Sequence, residues 1–175
     1  MEISALTGIW KWFKWLPKFL LKKVFSKERL SELLFIDVKA RHRSVSVNLM
    51  DKSTFNIYFQ VINMSPFEIE LDRADIEFNI NGARLKTHFM RKTSFKAGEV
   101  ANWYVEGDIT SPDADHIVKH FNENDDRASI TLHCDFNCIL HSFKKSHFNL
   151  DGVNINYSNL KYRQSLIATK HLTRK

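Results

Sequence analysis

His116 and His120 stand four residues apart, the spacing that puts two imidazoles on one side of a helix where both could ligate one metal ion. Asp113 and Asp115 are close by. A zinc site wants three or four ligands in a supported geometry, and no third strong ligand is specified. The H-E-x-x-H pattern is absent because Ile117 stands where glutamate would be. These residues are therefore expected to be solvated helix positions. His133, Cys134 and Cys138 form the second candidate group. Strand alternation sends both cysteines into the core and His133 to the opposite face, and a buried cysteine behaves as a small hydrophobe. At strand rise the two cysteines lie about 13 Å apart, too far for a disulfide, which agrees with a reducing compartment. The acidic pairs Glu68/Glu70 and Asp75/Glu77 suit one solvated strand face, with nothing to separate acid from base roles. No G-x-S-x-G, P-loop or dinucleotide fingerprint occurs, and five glycines leave little material for a phosphate cradle. The expectation is a protein without catalytic residues, cofactor or metal.

The elements that would position such groups begin with a helix. Over residues 3–25, at roughly 100° per residue, Lys11, Lys14, Lys18 and Lys22 fall in one narrow sector. Leu6, Ile9, Trp12, Phe13, Leu16, Phe19, Leu20 and Val24 fall opposite, with Trp10 and Trp15 at the boundary. Lys23 adds to the basic run. This is the pattern of a helix lying in a membrane interface, where indole rings favour the boundary. Lysine near the centre of a spanning helix costs about 2.5–3.5 kcal/mol. At a surface the same residue gains about 1 kcal/mol against anionic lipid. Lys14 and Lys18 thus favour lying on the bilayer over crossing it. Pro17 is expected to kink the segment. A cleaved signal peptide fits poorly, because lysines interrupt the apolar stretch and no small-residue cleavage site follows. Docking of the apolar face on the protein itself is the plain alternative. Ser26 is expected to cap a short second helix.

From Leu34 onward the period becomes two. Phe55, Ile57, Phe59 and Val61 alternate with Asn56, Tyr58 and Gln60, and Ile76, Phe78 and Ile80 with Glu77 and Asn79. Ile130 to Leu140 is the longest alternation, and the phase changes at Asp151-Gly152, which suggests a bulge or tight turn. About seven strands with Asn-Gly, Ala-Gly and Asp-Gly turns predict a mainly β, antiparallel β-sandwich. One short inserted helix is expected from Ser111 as N-cap and Pro112 as first residue to about Phe121. The organisation is then residues 1–34 as basic helix and connector, 35–160 as sandwich, and 161–175 as a basic tail. The net charge of +6 in 175 residues belongs mainly to the two ends, so anionic partners are expected.

Residues 59–85, FQVINMSPFEIELDRADIEFNINGARL, carry Val61, Asn63, Phe67, Ile69, Leu71 and Asn81-Gly82 in the order of a V-x-N strand end, a short apolar strand and a longer one closing in N-G. This resembles the WHy domain of the group-2 late embryogenesis abundant (LEA2-like) proteins, over about residues 36–157. Residues 95–109 resemble the Ala-Gly turn and strand that follow. Where that pattern has N-P-N, this chain has Asn63-Met64-Ser65 with Pro66 displaced. The resemblance implies a fibronectin/immunoglobulin-like sandwich, a non-enzymatic module that is sometimes membrane-tethered, and no catalytic residues.

The expected function is a peripheral module on the cytoplasmic face of an anionic membrane, binding a protein partner or elongated apolar ligand, with a stress-related role. Two alternatives stand beside it. One is a single-pass, signal-anchored sandwich outside the cytoplasm. The other is a single-stranded nucleic-acid-binding protein using the Lys/Trp-rich segment, which would leave the broad apolar sector unused.

Overall fold

The computed structural model describes residues 16–38, 44–122, 128–150 and 153–172, with residues 170–172 as backbone alone. The described residues open with two short helices, α1 (Lys18–Val24) and α2 (Lys27–Glu32). Ten strands follow: β1 (Leu34–Val38), β2 (Val45–Asn48), β3 (Ser53–Asn63), β4 (Ile69–Ile80), β5 (Ala83–Phe89), β6 (Thr93–Phe95), β7 (Val100–Ile109), β8 (Ala128–Cys138), β9 (Ser142–Leu150) and β10 (Ile155–Ser158). Helix α3 (Ser111–Lys119) lies between β7 and β8, and α4 (Leu160–Leu172) follows β10.

The strands form two five-stranded sheets. In the first, β3 is central. β7 runs antiparallel along one edge, while β1 and β2 share the other, pairing with its C-terminal and N-terminal halves. β10 adds parallel to β2. In the second sheet β4 is central, with β8 and then β9 on one side and β5 and β6 sharing the other. The molecule is thus mainly β and antiparallel, with the core between two sheets. The alternation in the sequence is the burial pattern observed: Phe55, Ile57, Phe59 and Val61 of β3 are buried, as are Ile76, Phe78 and Ile80 of β4. Phe55 meets Phe78 across the sheets at 5.6 Å between ring centroids. Its ring also lies over Gly107, its register partner on β7, where a Cβ would collide with it. Only glycine leaves room there.

Asn63 closes one end of the sandwich. It is fully buried, and its Nδ2 donates to the carbonyls of Phe67 at 2.8 Å, Phe95 at 3.0 Å and Lys96 at 3.0 Å. Its Oδ1 accepts from Ser65 N at 3.0 Å and Ser65 Oγ at 2.7 Å. Its backbone bonds Glu99 O and Gly98 N. The side chain therefore ties the end of β3, in one sheet, to the β3–β4 and β6–β7 connections that serve both.

Several local expectations differ from what is seen. Pro17 does interrupt the segment, but as the N-cap of α1, with ψ 144°, because an imide nitrogen cannot donate and proline restricts the preceding residue. The cap of α3 is Thr110, whose hydroxyl accepts from Asp113 N at 3.3 Å, and not Ser111. The change of phase after β9 marks a change of sheet, since β9 and β10 belong to different ones. The turn residues Asp151 and Gly152 lie outside the described residues. The bulges lie inside the second sheet, at Leu71/Arg73 and Ile130/Leu132.

The segment read as a basic tail is helical through Leu172. Arg163 in its first turn is 2% exposed and joins Asp115 Oδ1 at 2.7 Å, with further bonds to Ser111 O and Met50 O. It latches α4 onto α3.

Asn63→Ala should lower unfolding free energy in urea by roughly 2–4 kcal/mol, since several buried partners lose their bonds at once. Arg163→Met should cost about 2–3 kcal/mol, leaving Asp115 without its guanidinium, and should speed amide exchange in α4 first.

Candidate functional site

The residues singled out for chemistry are not brought together. His116 and His120 do meet, with ring centroids 4.2 Å apart, but His120 Nδ1 is engaged by His116 O at 2.9 Å. Asp113 accepts from Thr110 Oγ1 and Asp115 is held by Arg163. Among the described residues, no three of His, Cys, Asp and Glu are grouped to hold a metal ion. Cys134 is buried, and that burial, helped by Asp135 and Asp75, pushes its thiol far above the ordinary range, the opposite of a nucleophile's requirement. Cys138 is half-buried at the strand end, and both thiols are free. His133 faces outward onto Ser146 Oγ at 2.8 Å. The side assigned to Cys134 and His133 by alternation is thus the one they occupy.

A different feature stands out at the end closed by Asn63. Helix α1 sits there, held by Leu21 and Phe25, four residues apart and both buried. Phe25 meets Phe67 edge to face at 5.2 Å. Phe67 is in the connection whose carbonyl Asn63 binds, so the helix rests on the part of the sandwich that Asn63 makes rigid. His141, in the β8–β9 turn, reaches Lys22 O at 3.4 Å. With Leu21 and Phe25 spent on docking, the other described apolar side chains of the segment face outward: Phe19 is 70% exposed, and Leu16, Leu20 and Val24 are also exposed. Lys18, Lys22 and Lys23 are exposed beside them. The other predicted members of this surface, Ile9, Trp10, Lys11, Trp12, Phe13, Lys14 and Trp15, lie outside the described residues. No helix among the described residues is long and apolar enough to cross a membrane.

Docking on the protein and presenting an apolar face were alternatives on the helical wheel. In the structure the described members of the broad apolar face stay exposed, and Leu21 and Phe25, outside that face, make the docking contact. At roughly 100° per residue Leu21 and Phe25 fall beside the lysines and not on the broad apolar face, so the side that docks is one the wheel left to the basic sector; Phe67 decides it by receiving the Phe25 ring.

The next helix is tied down as firmly. Ser26 caps α2 by accepting from Arg29 N at 3.3 Å, as its sequence predicts, and Leu30 is fully buried. Lys145 of β9 donates to Ser31 O, supplying a cation to the C-terminal turn of α2. Burial holds the Lys145 ammonium below its usual range. His147, two residues on, is likewise lowered, first by burial and then by Lys145, with Asp37 of β1 opposing. Its Nε2 is buried without a hydrogen-bond partner.

Comparison with known proteins finds no matching family model and no matching curated protein. Solved structures do match. A protein from Archaeoglobus fulgidus has a TM-score of 0.39 at 9% identity, covering 67% of this chain and 95% of that one. The Northeast Structural Genomics Consortium target SoR45 has a TM-score of 0.45 at 9% identity, covering 70% and 89%. A β-glucuronidase from Bacteroides uniformis has a TM-score of 0.33 at 16% identity, with 66% of this chain matching 12% of the enzyme. At these scores none bears on what this chain does.

The depressed His147 makes a pH prediction. Its folded-state pKa lies below the unfolded value of about 6.5, so its contribution is fully present above that pH and is lost as pH falls toward the folded value. The urea midpoint of the wild type should fall between pH 7 and pH 5 more than that of His147→Leu. Parallel pH profiles for the two would refute it.

Proposed function

We propose that this chain is a non-enzymatic β-sandwich module held at an anionic membrane surface by its N-terminal helical segment. One observation carries the reading. The sandwich takes only Leu21 and Phe25 from α1, leaving Phe19, Leu20 and Val24 outward among exposed lysines. An interfacial helix needs that division: apolar side chains at the acyl boundary and ammonium groups at the headgroups. The cytoplasmic face is the natural location, since anionic lipid there attracts basic segments.

The fibronectin/immunoglobulin-like form belongs to the same proposal. Its support is strand order: β1/β2-β3-β7 in one sheet and β5-β4-β8-β9 in the other, the arrangement of A-B-E against C-F-G with C′ beside C. The WHy resemblance gains a physical content from Asn63, the asparagine of the V-x-N signature, whose hydrogen bonds close the end of the fold that carries α1. The module's role is to hold a partner or apolar ligand near the bilayer, with stress protection the process the resemblance suggests.

Co-sedimentation with phosphatidylcholine vesicles containing phosphatidylglycerol tests this. The full chain should pellet at low salt. Replacing Lys18, Lys22 and Lys23 by Gln should weaken binding by about fivefold per charge. Indifference to these changes would overturn the reading, as would preference for single-stranded oligonucleotides over vesicles.

A further inference from the structure

The end of the sandwich beside α1 is itself apolar. In the first sheet, register places Phe35 opposite Ile62 and Ile62 opposite Val100, on the outer face. Residues directly opposite share a face, so the three form a cross-strand row where solvent is expected. Phe35 is 51% exposed and Val100 46%. The next row along that face is polar, Asp37, Gln60 and Asn102, and separates the end row from the Tyr58–Tyr104 pair beyond it. Met64 follows Asn63 and is exposed; its N–H donates to Leu33 O at 2.8 Å, which brings the connector from α2 to the same end. On the far side, Ile139 at the tip of the β8–β9 turn is 66% exposed. It lines a groove with Pro66 and Phe67, and His141 of the same turn touches α1. Exposed apolar side chains from β1, β7, the β3–β4 connection, the β8–β9 turn and α1 are thus gathered at one end of the sandwich.

We propose that this pole of the sandwich is a second membrane contact, inserting Ile139, Met64 and the Phe35–Ile62–Val100 row beside α1. The inference rests on the interfacial reading of α1 and extends it from a tether to an oriented attachment. A lipid surface fits this end better than another occupant because of its charges. Lys18, Lys22, Lys23 and Lys96 are exposed around it, against Glu68, Glu70 and Glu99; Glu70 is paired with Lys92 and Glu99 accepts from Lys96 N. An apolar end rimmed by an excess of ammonium groups matches an acyl boundary under anionic headgroups. Two attachment points fix direction as well as distance. The strands of β3 and β4 then stand with the Asn63 end on the bilayer, and α3 and α4 point away from it.

The test measures binding of the full-length chain to phosphatidylcholine vesicles containing phosphatidylglycerol, using Ile139→Asp, Val100→Asp and Phe19→Asp/Leu20→Asp. The control is Phe148→Asp, an equally exposed apolar site on β9 away from the pole. Ile139→Asp and Val100→Asp should each weaken binding about tenfold, while Phe148→Asp stays near wild type. If both pole variants match the control and only Phe19→Asp/Leu20→Asp loses binding, the pole is not a contact and the helix alone is the anchor. If the pole variants lose binding and the helix variant does not, the pole stands and the helix reading falls. A drop in melting temperature of Ile139→Asp without lipid would overturn the proposal by showing that the chain itself covers the site. Loss of a concentration-dependent dimer in that variant, with vesicle binding unchanged, would overturn it in favour of a second copy.

Discussion

A buried asparagine at the end of β3 sets the terms for the rest of the molecule. An amide side chain removed from water must find partners for both its donor and its acceptor sides. Asn63 finds all of them in backbone and in Ser65. The result is directional. Two connections that hydrophobic packing would leave free to slide are held to one geometry, and both sheets are joined at that end. Helix α1 then has a rigid seat, because Phe67 is held by its carbonyl while its ring receives Phe25.

The rest of the architecture follows from the need to cover edges and ends. A sheet edge exposes backbone groups that invite unwanted pairing. β10 covers the outer edge of β2, and α2 lies against β9, held by Lys145. At the opposite end Arg163 brings α4 onto α3 through Asp115 and Ser111. A guanidinium can be so buried only because its donors meet a carboxylate and carbonyls in fixed positions. The chain therefore invests polar, directional contacts in both ends and leaves dispersion and water exclusion to the middle.

The two ends differ in what they show to solvent. The α3/α4 end is assembled from caps, an ion pair and polar side chains. The Asn63 end has an equally satisfied interior but an apolar exterior, from Phe19 of α1 to Val100 of β7. It is this gathering of exposed apolar side chains at one end that the proposed membrane contact rests on.

Local periodicity determined much of this protein. Strand alternation in β3, β4 and β8 follows from a two-residue repeat, because successive side chains must point to opposite faces. The Asn81-Gly82 turn follows from the positive φ both residues adopt, and the Ser26 cap from a hydroxyl poised to accept an amide proton. The same rule placed Cys134 inside and His133 outside, and put Phe19 and Leu20 on one side of a basic helix. What lay beyond it depended on partners distant in the chain. Arg163 reads as one more tail cation until Asp115, 48 residues away, comes within reach. Leu21 and Phe25 fall beside the lysines on the helical wheel, and only the contact with Phe67 makes theirs the docking side. Phe35, Ile62 and Val100 are unremarkable singly, and only the registers of β1 and β7 on β3 line them up. Periodicity fixes which way a side chain points from its own backbone; what it meets there is decided by register and docking, which are properties of the whole chain.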